Sequence, residues 1–266
     1  MPSKKPNRYE RLLEHVFQRH YAQDATEVAF AREDLEQAAK KLELQLPKNL
    51  GDVIYAFRYR TQLPESIQSL APKGMDWIIR AAGQSKYRFV LTSFARIRPA
   101  TNLAVTKVPD STPGVISMYS MTDEQALLAK IRYNRLIDIF SGVACYSLQS
   151  HLRTTVNGMG QVETDEIYVG VDKRGAHYVF PIQAKGGKDT LGIVQVEQDV
   201  ALCAEKFGGL ICRPIGAQFL GSDLIAMIEL EESQEGLKVV SEKHYRLVPS
   251  EEVSSKDIAQ YRRRSI

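Results

Sequence analysis

Cysteine is scarce in this 266-residue chain: Cys145, Cys203 and Cys212 are its three, and no two stand in CxxC spacing. That excludes a disulfide framework or a zinc knuckle, which need paired thiols, and fits a reducing, cytoplasmic setting in which each thiol packs as a small apolar residue. Long apolar runs are missing too. None approaches the ~18 residues that cross a bilayer, and the basic opening segment has no apolar stretch behind it, so neither a membrane span nor a secretory leader is expected. Charge of one sign is not in excess, since 35 Lys/Arg − 32 Asp/Glu leaves +3, too little to imply a nucleic-acid partner by itself. A phosphate-cradling loop is lacking: Gly186-Gly187-Lys188-Asp189 has no upstream glycine of the GxxxxGK[ST] kind, which excludes that mode of nucleotide binding. His151 and His177 have no third partner for a catalytic triad and read as packing or edge residues.

What is present is an ordinary globular composition, 44% hydrophobic and 25% charged, long enough for one or two domains. The charge is unevenly placed. Residues 1–100 carry 17 basic against 11 acidic side chains, net +6, and the remainder carries 18 against 21, net −3. No internal repeat is visible. The clearest seam is 93–120, with three prolines and no sustained periodicity, so the expected division is a domain at 1–95, a linker at 96–120 and a second domain at 121–266.

In the first domain, Tyr9, Leu12, Leu13, Val16 and Phe17 recur at helical spacing and predict a helix over 8–21. A second helix fits Glu33–Leu42, and Pro47 is expected to open a third that runs through Phe57. Strand-like runs at 77–81 and 87–91 flank a loop, Ala82-Gly83-Gln84-Ser85-Lys86, as a hairpin. Three short helices and a β-hairpin resemble a winged helix-turn-helix, whose second helix of the motif enters the major groove while the hairpin reaches phosphates. On that reading Lys48, Asn49, Arg58 and Arg60 of the third helix and Gln84, Lys86 and Arg88 of the hairpin are the candidate DNA contacts, Asn and Arg for base edges and Lys for phosphate. A solvated polar face on a helical bundle is the competing reading, and winged helices also mediate protein contacts.

The second domain is expected to begin with a capping box, Thr122-Asp123-Glu124-Gln125, and a long helix to about residue 151, bent at Ser141-Gly142. A short strand at 151–156, strands at 162–171 and 176–184 joined by Asp172-Lys173-Arg174-Gly175, a helix over 190–207 and a strand at 210–219 follow. Segments 221–230 and 237–248 add one or two strands, and the end, from Pro249, reads as a short helix with a basic Arg262-Arg263-Arg264 tail. Strand side chains alternate, so Gln183 and Lys185 share a face, as do Glu163 and Asp165. Paired as a hairpin, these strands bring an acid, an amide oxygen and an ammonium to one sheet edge. Metal-assisted phosphodiester hydrolysis needs those groups: a carboxylate for Mg²⁺, which favours oxygen ligands, and an ammonium for the developing negative charge.

The helix–strand–strand–strand–helix–strand order over 122–220, with Asp165 standing 183 − 165 = 18 positions ahead of Gln183-Ala184-Lys185, resembles the PD-(D/E)XK, restriction-endonuclease-like nuclease superfamily, in its Mrr-like Gln-x-Lys form. The resemblance implies an α/β (α+β) fold with an αβββαβ core and a mixed sheet. It also implies that Asp165 binds metal, that Gln183 occupies the second metal-ligand position and that Lys185 is the catalytic lysine. Thr164 stands where the motif has proline, and Gln183 is neutral, so Glu163, Glu166 or Asp138 of the preceding helix has to supply the missing charge. Gln195, Glu197 and Gln198 of the following helix are further polar candidates for the same edge. The expected function is a Mg²⁺-dependent DNA endonuclease of restriction or defence type, acting on double-stranded DNA as a homodimer. The alternatives are a non-catalytic DNA-binding regulator whose nuclease-like domain mediates dimerisation, and a protein-interaction module.

Overall fold

The computed structural model describes residues 7–59, 61–119, 124–187, 189–233 and 236–264, and the chain divides into two compact units. The first holds Met1–Arg96 with the short stretches 155–161 and 192–194; the second holds 97–154, 162–191 and 195–266. The fold class is mixed α and β in both.

In the first unit, helix α1 (Arg8–His20) starts where Asn7 accepts hydrogen bonds from the Tyr9 and Glu10 amides and the Glu10 carboxylate accepts one from Asn7 N–H. That reciprocal cap satisfies amides that have no partner within the helix. Its Leu12, Leu13, Val16 and Phe17 face is buried, with the Phe17 ring 5.0 Å from both Trp77 and Phe89. Strand β1 (Glu27–Ala31), which the sequence reading did not contain, runs directly into α2 (Arg32–Lys41), and only Val28 and Phe30 mark its buried face. Helix α3 (Gly51–Tyr59) begins four residues after Pro47, because Asn49 accepts from Gly51 N–H at 3.0 Å and donates to Asp52 at 2.8 Å. A single turn, α4 (Glu65–Gln68), precedes β2 (Asp76–Ala81) and β3 (Lys86–Thr92), the expected hairpin. β3 lies between β1 and β2 in an antiparallel sheet.

The two-residue strand β4 (Arg96–Ile97) precedes an unforeseen strand, β5 (Val105–Pro109), and helix α5 (Gly114–Tyr119). The segment expected as a linker thus carries secondary structure: β5 pairs with a strand nearly 140 residues away, a partner no local pattern could reveal. Then come α6 (Glu124–Tyr133), α7 (Leu136–Ser141), β6 (Ala144–Val156), β7 (Gly160–Val171), β8 (His177–Lys185), β9 (Leu191–Gly192), α8 (Ile193–Lys206), β10 (Ile211–Cys212), β11 (Ile215–Phe219), β12 (Leu224–Ser233), β13 (Gly236–Val248) and α9 (Ser255–Arg264). The expected long helix to residue 151 is corrected. It breaks at Arg135 and again at Gly142, both in the left-handed region, and residues 144–156 form a strand. The expected capping residue Thr122 and Asp123 lie outside the described residues.

An eight-stranded mixed sheet runs β5-β13-β12-β11-β8-β7-β6, with β10 also on β8. β7 and β8 are antiparallel from Val171↔His177 to Glu166↔Ile182, and β11 lies parallel to β8. On one face Leu127, Leu128, Ile131, Leu136 and Ile137 of α6 and α7 pack with Phe180, Ile182, Ala184 and Ala217. Gly170 sits where β7 passes the α7–β6 turn, and a Cβ there would stand 2.8 Å from Val143 Cγ1 and 2.9 Å from the Ala144 carbonyl oxygen. Gly170→Ala is expected to destabilise the protein by about 1–3 kcal/mol through this overpacking, read as a lower urea midpoint at unchanged m-value.

Candidate functional site

Ile182 and Ala184 belong to the core beneath α6, so alternation sends Gln183 to the opposite face, where α8 meets it. Gln183 is buried, 2% exposed, and its amide is held at both ends. Its oxygen accepts from Gln195 Nε2 at 3.1 Å; its nitrogen donates to Asp199 Oδ1 and to the Glu163 carbonyl, both at 3.2 Å. Gln195 and Asp199 are four residues apart on α8 and therefore lie on one face of it. Lys185, the last residue of β8, is 8% exposed, and its four-carbon stem carries the ammonium to Glu124 Oε1 at the start of α6, 3.2 Å away.

Asp165 sits where the regular β7–β8 pairing has ended. Its side chain, not its backbone, accepts the Ala184 N–H at 2.8 Å. Glu166 and Tyr168 engage Arg132 of α6, yet Thr164 donates its hydroxyl to Asp199 of α8. The strict alternation that puts Glu163 and Asp165 on one face is therefore interrupted at Asp165, as bulges do at strand ends beside sites. Burial raises the Asp165 pKa, and Glu124 adds to that; the Lys185 ammonium, the Ala184 N–H and His151 pull it back. Acid and ammonium thus act on each other at one end of the sheet.

Three groups that sequence reasoning missed or set aside complete this end. Glu124 was read as part of a helix cap, and it is also the partner of Lys185. Asp199 is 1% exposed inside an apolar helix; the signal available was an acid four residues after a glutamine on a helix that follows the Gln-x-Lys strand. Burial pushes its pKa up to about 8, with Asp165 adding and the Thr164 and Gln183 hydrogen bonds opposing, and its Oδ2 is buried without a partner. His151, at φ +50° within β6, approaches Gln125 Nε2 at 2.8 Å and Glu163 Oε1 at 4.0 Å.

The other acids put forward from sequence are engaged elsewhere. Asp138 is bonded to Arg135 and to Cys145 N–H, at the α7–β6 turn. The Glu163 carboxylate pairs with Arg153 at 3.0 Å, and only its backbone carbonyl meets Gln183. Glu166 is fully buried against Arg132 and Ser147. His177 is exposed on β8, paired with Val171 at the far end of the hairpin.

The Asp165 and Glu124 carboxylates and the Gln183 amide oxygen are oxygen donors of the kind a hard divalent cation takes, and the second Asp199 oxygen is buried without a hydrogen-bond partner. Among the described residues no group of three or more His, Cys, Asp or Glu is gathered as a metal cluster. Instead Lys185 and protein N–H groups engage the carboxylates.

In the first unit, Lys48, Asn49, Gln84 and Lys86 are exposed, Lys48 and Asn49 just before α3 and the other two at the hairpin loop. Arg58 stacks over the Tyr59 ring at 4.8 Å, beside the Tyr55–Tyr59 pair at 4.7 Å. Arg88 is in an ion pair with Glu27 at 3.0 Å, and Arg60 lies outside the described residues. Among the described residues no helix is long and apolar enough to cross a membrane. Comparison with protein-family models, with curated proteins and with solved structures found no match.

The raised pKa of Asp199 has a thermodynamic consequence. An unfolded aspartate loses its proton near pH 4, while the folded one keeps it to about 8. Between those values the folded state binds more protons than the unfolded state, so stability falls as pH rises. In EDTA, the wild-type chain is expected to lose on the order of a few kcal/mol from this group over that window, and Asp199→Asn to flatten the slope in urea titrations at a series of pH values.

Proposed function

We propose that the chain is a Mg²⁺-dependent DNA endonuclease of restriction or defence type, its second unit a restriction-endonuclease-like nuclease domain and its first a winged-helix module that binds duplex DNA. The observation that carries this reading is that Asp165 of β7, Lys185 of β8 and Glu124 of α6 act on one another at the end of one hairpin, with Gln183 two positions before Lys185 on the same strand. The element order α6-α7-β6-β7-β8-β9-α8-β10-β11, in which β9 and β10 have two residues each, and the parallel β8–β11 pair support the nuclease fold. The order α1-β1-α2-α3-α4-β2-β3, with β3 central, supports the winged helix.

Asp165, Glu124 and the Gln183 oxygen would hold Mg²⁺, which when bound neutralises phosphate charge and lowers the pKa of a coordinated water. The protein's own groups do the rest. Lys185, poorly solvated and turned toward the carboxylates, donates hydrogen bonds to a non-bridging phosphate oxygen as negative charge grows there. Gln195 and Asp199 hold the Gln183 amide so that its oxygen keeps a second lone pair for a ligand. Cutting both strands takes two such sites, and a homodimer is part of this proposal. The neutral Gln183 and the lack of a ready metal cluster among the described residues favour one rival, a non-catalytic DNA-binding regulator.

Supercoiled plasmid, methylated and unmethylated, incubated with and without Mg²⁺ separates the two. Mg²⁺-dependent nicking is expected, reduced by about 100-fold or more in Asp165→Ala and in Lys185→Ala, with DNA affinity within about threefold of wild type. Wild-type cleavage by Lys185→Ala, or no nicking by the wild-type chain, rejects the site. Gel shifts across a salt series test the module: Lys86→Ala is expected to weaken binding uniformly across sequences and to reduce the salt slope by about one.

A further inference from the structure

Two positions depart from the motif that the site resembles, and both touch the same atom. Thr164, in place of proline, donates its hydroxyl to Asp199 Oδ1; Gln183, in place of an acid, donates its amide to that same oxygen at 3.2 Å. Asp199 is 1% exposed, and its second oxygen is buried with no partner. Gln183, which donates to it, precedes the Ala184 whose N–H Asp165 accepts and stands two residues before Lys185, so Asp199 lies beside the same group of side chains. Carried as a carboxylate, Asp199 needs compensation: hydrogen bonds satisfy one oxygen here, and the other is left to a proton or to a cation that displaces it. Among the described residues no group donates to that second oxygen.

We infer that Asp199 of α8 supplies the negative ligand that β8 lacks, so that Thr164, Gln183 and Asp199 form one unit in which the acid has moved from the strand to the facing helix and acts toward a divalent cation. The neutral amide follows from that placement. A glutamate at 183 would set two carboxylates in contact in a buried space, where one of them could not ionise, whereas glutamine donates to Asp199 and offers its own oxygen. Threonine serves the same end, since proline would leave Asp199 Oδ1 with one donor fewer. Gln195, one helical turn before Asp199, takes the other end of the amide and fixes which way it faces.

The inference rests on the divalent-ion reading of the site, and the test separates the two. Mn²⁺ binding to the purified full-length chain is measured by titration calorimetry and by the electron paramagnetic resonance of free Mn²⁺, neither of which requires cleavage. Asp199→Asn, nearly isosteric, is expected to weaken Mn²⁺ binding by about tenfold or more, as loss of a charged ligand does, while remaining folded in EDTA. Moving the acid back with Gln183→Glu plus Asp199→Asn is expected to restore affinity to within about threefold of wild type. Unchanged Mn²⁺ affinity in Asp199→Asn overturns the inference, as does a double variant no tighter than Asp199→Asn. Should the single variant not fold, the double variant decides alone: near-wild-type affinity supports the inference and a tenfold loss overturns it. Asp165→Ala is the control on the underlying reading. If it loses Mn²⁺ and Asp199→Asn does not, only the inference falls; if the wild-type chain binds no Mn²⁺, both fall.

Discussion

The hydrogen bond from the Ala184 N–H to the Asp165 carboxylate is the constraint on which the site depends. In a continuous ladder that amide would pair with a backbone carbonyl of β7, and the side chain of residue 165 would be free to swing into solvent. Ending the regular pairing at Glu166↔Ile182 and handing the next amide to a side chain holds the carboxylate against the strand that carries Gln183 and Lys185. The same interruption turns Thr164 toward α8 while Glu166 stays with α6. One local irregularity therefore sorts three successive polar side chains to three different partners.

Burial makes this arrangement consequential. Gln183, Lys185, Thr164 and Asp199 are all nearly inaccessible, and a polar group removed from water must find partners inside the protein. Most are found: amide to amide, amide to acid, ammonium to acid. The energetic residue is concentrated on Asp199, whose ionised form is disfavoured by burial. Two acids with raised pKa values and a left-handed His151 are gathered at this end of the sheet.

The first unit follows a different logic. Its core is aromatic and tightly packed, Phe17 against Trp77 and Phe89, and it leaves a helix, α3, whose accessible side chains are Tyr55 and Asp52 rather than a row of bases. Arg58 is stacked and Arg88 is paired, so among the described residues of this candidate interface the unengaged cations are Lys48 before α3 and Lys86 at the hairpin loop.

Periodicity and spacing in the sequence were enough for α1, α2, the β2–β3 hairpin, the β7–β8 hairpin and α8, because each carries a strong alternation or a 3.6-residue stripe within its own residues. Strand alternation, another local rule, put Gln183 and Lys185 on one face of β8, but Asp165 departs from the alternation expected of it, because its side chain takes the Ala184 N–H. Three things lay outside local rules. β1 and β5 are short strands stabilised by partners far along the chain, and residues 144–156 have an apolar pattern that suits a helix as well as a strand until the left-handed turn at Gly142 ends α7. The partners of the site, Glu124 and Asp199, come from helices 61 and 14 positions away from Lys185 (185 − 124 and 199 − 185), and only packing of those helices against the sheet brings them to it. Of the other acids, Asp138 is taken by Arg135 three residues before it and Glu163 by Arg153 on the neighbouring strand, whereas Glu166 meets Arg132 only because α6 packs on the sheet, since a carboxylate's role depends on its nearest charge in space.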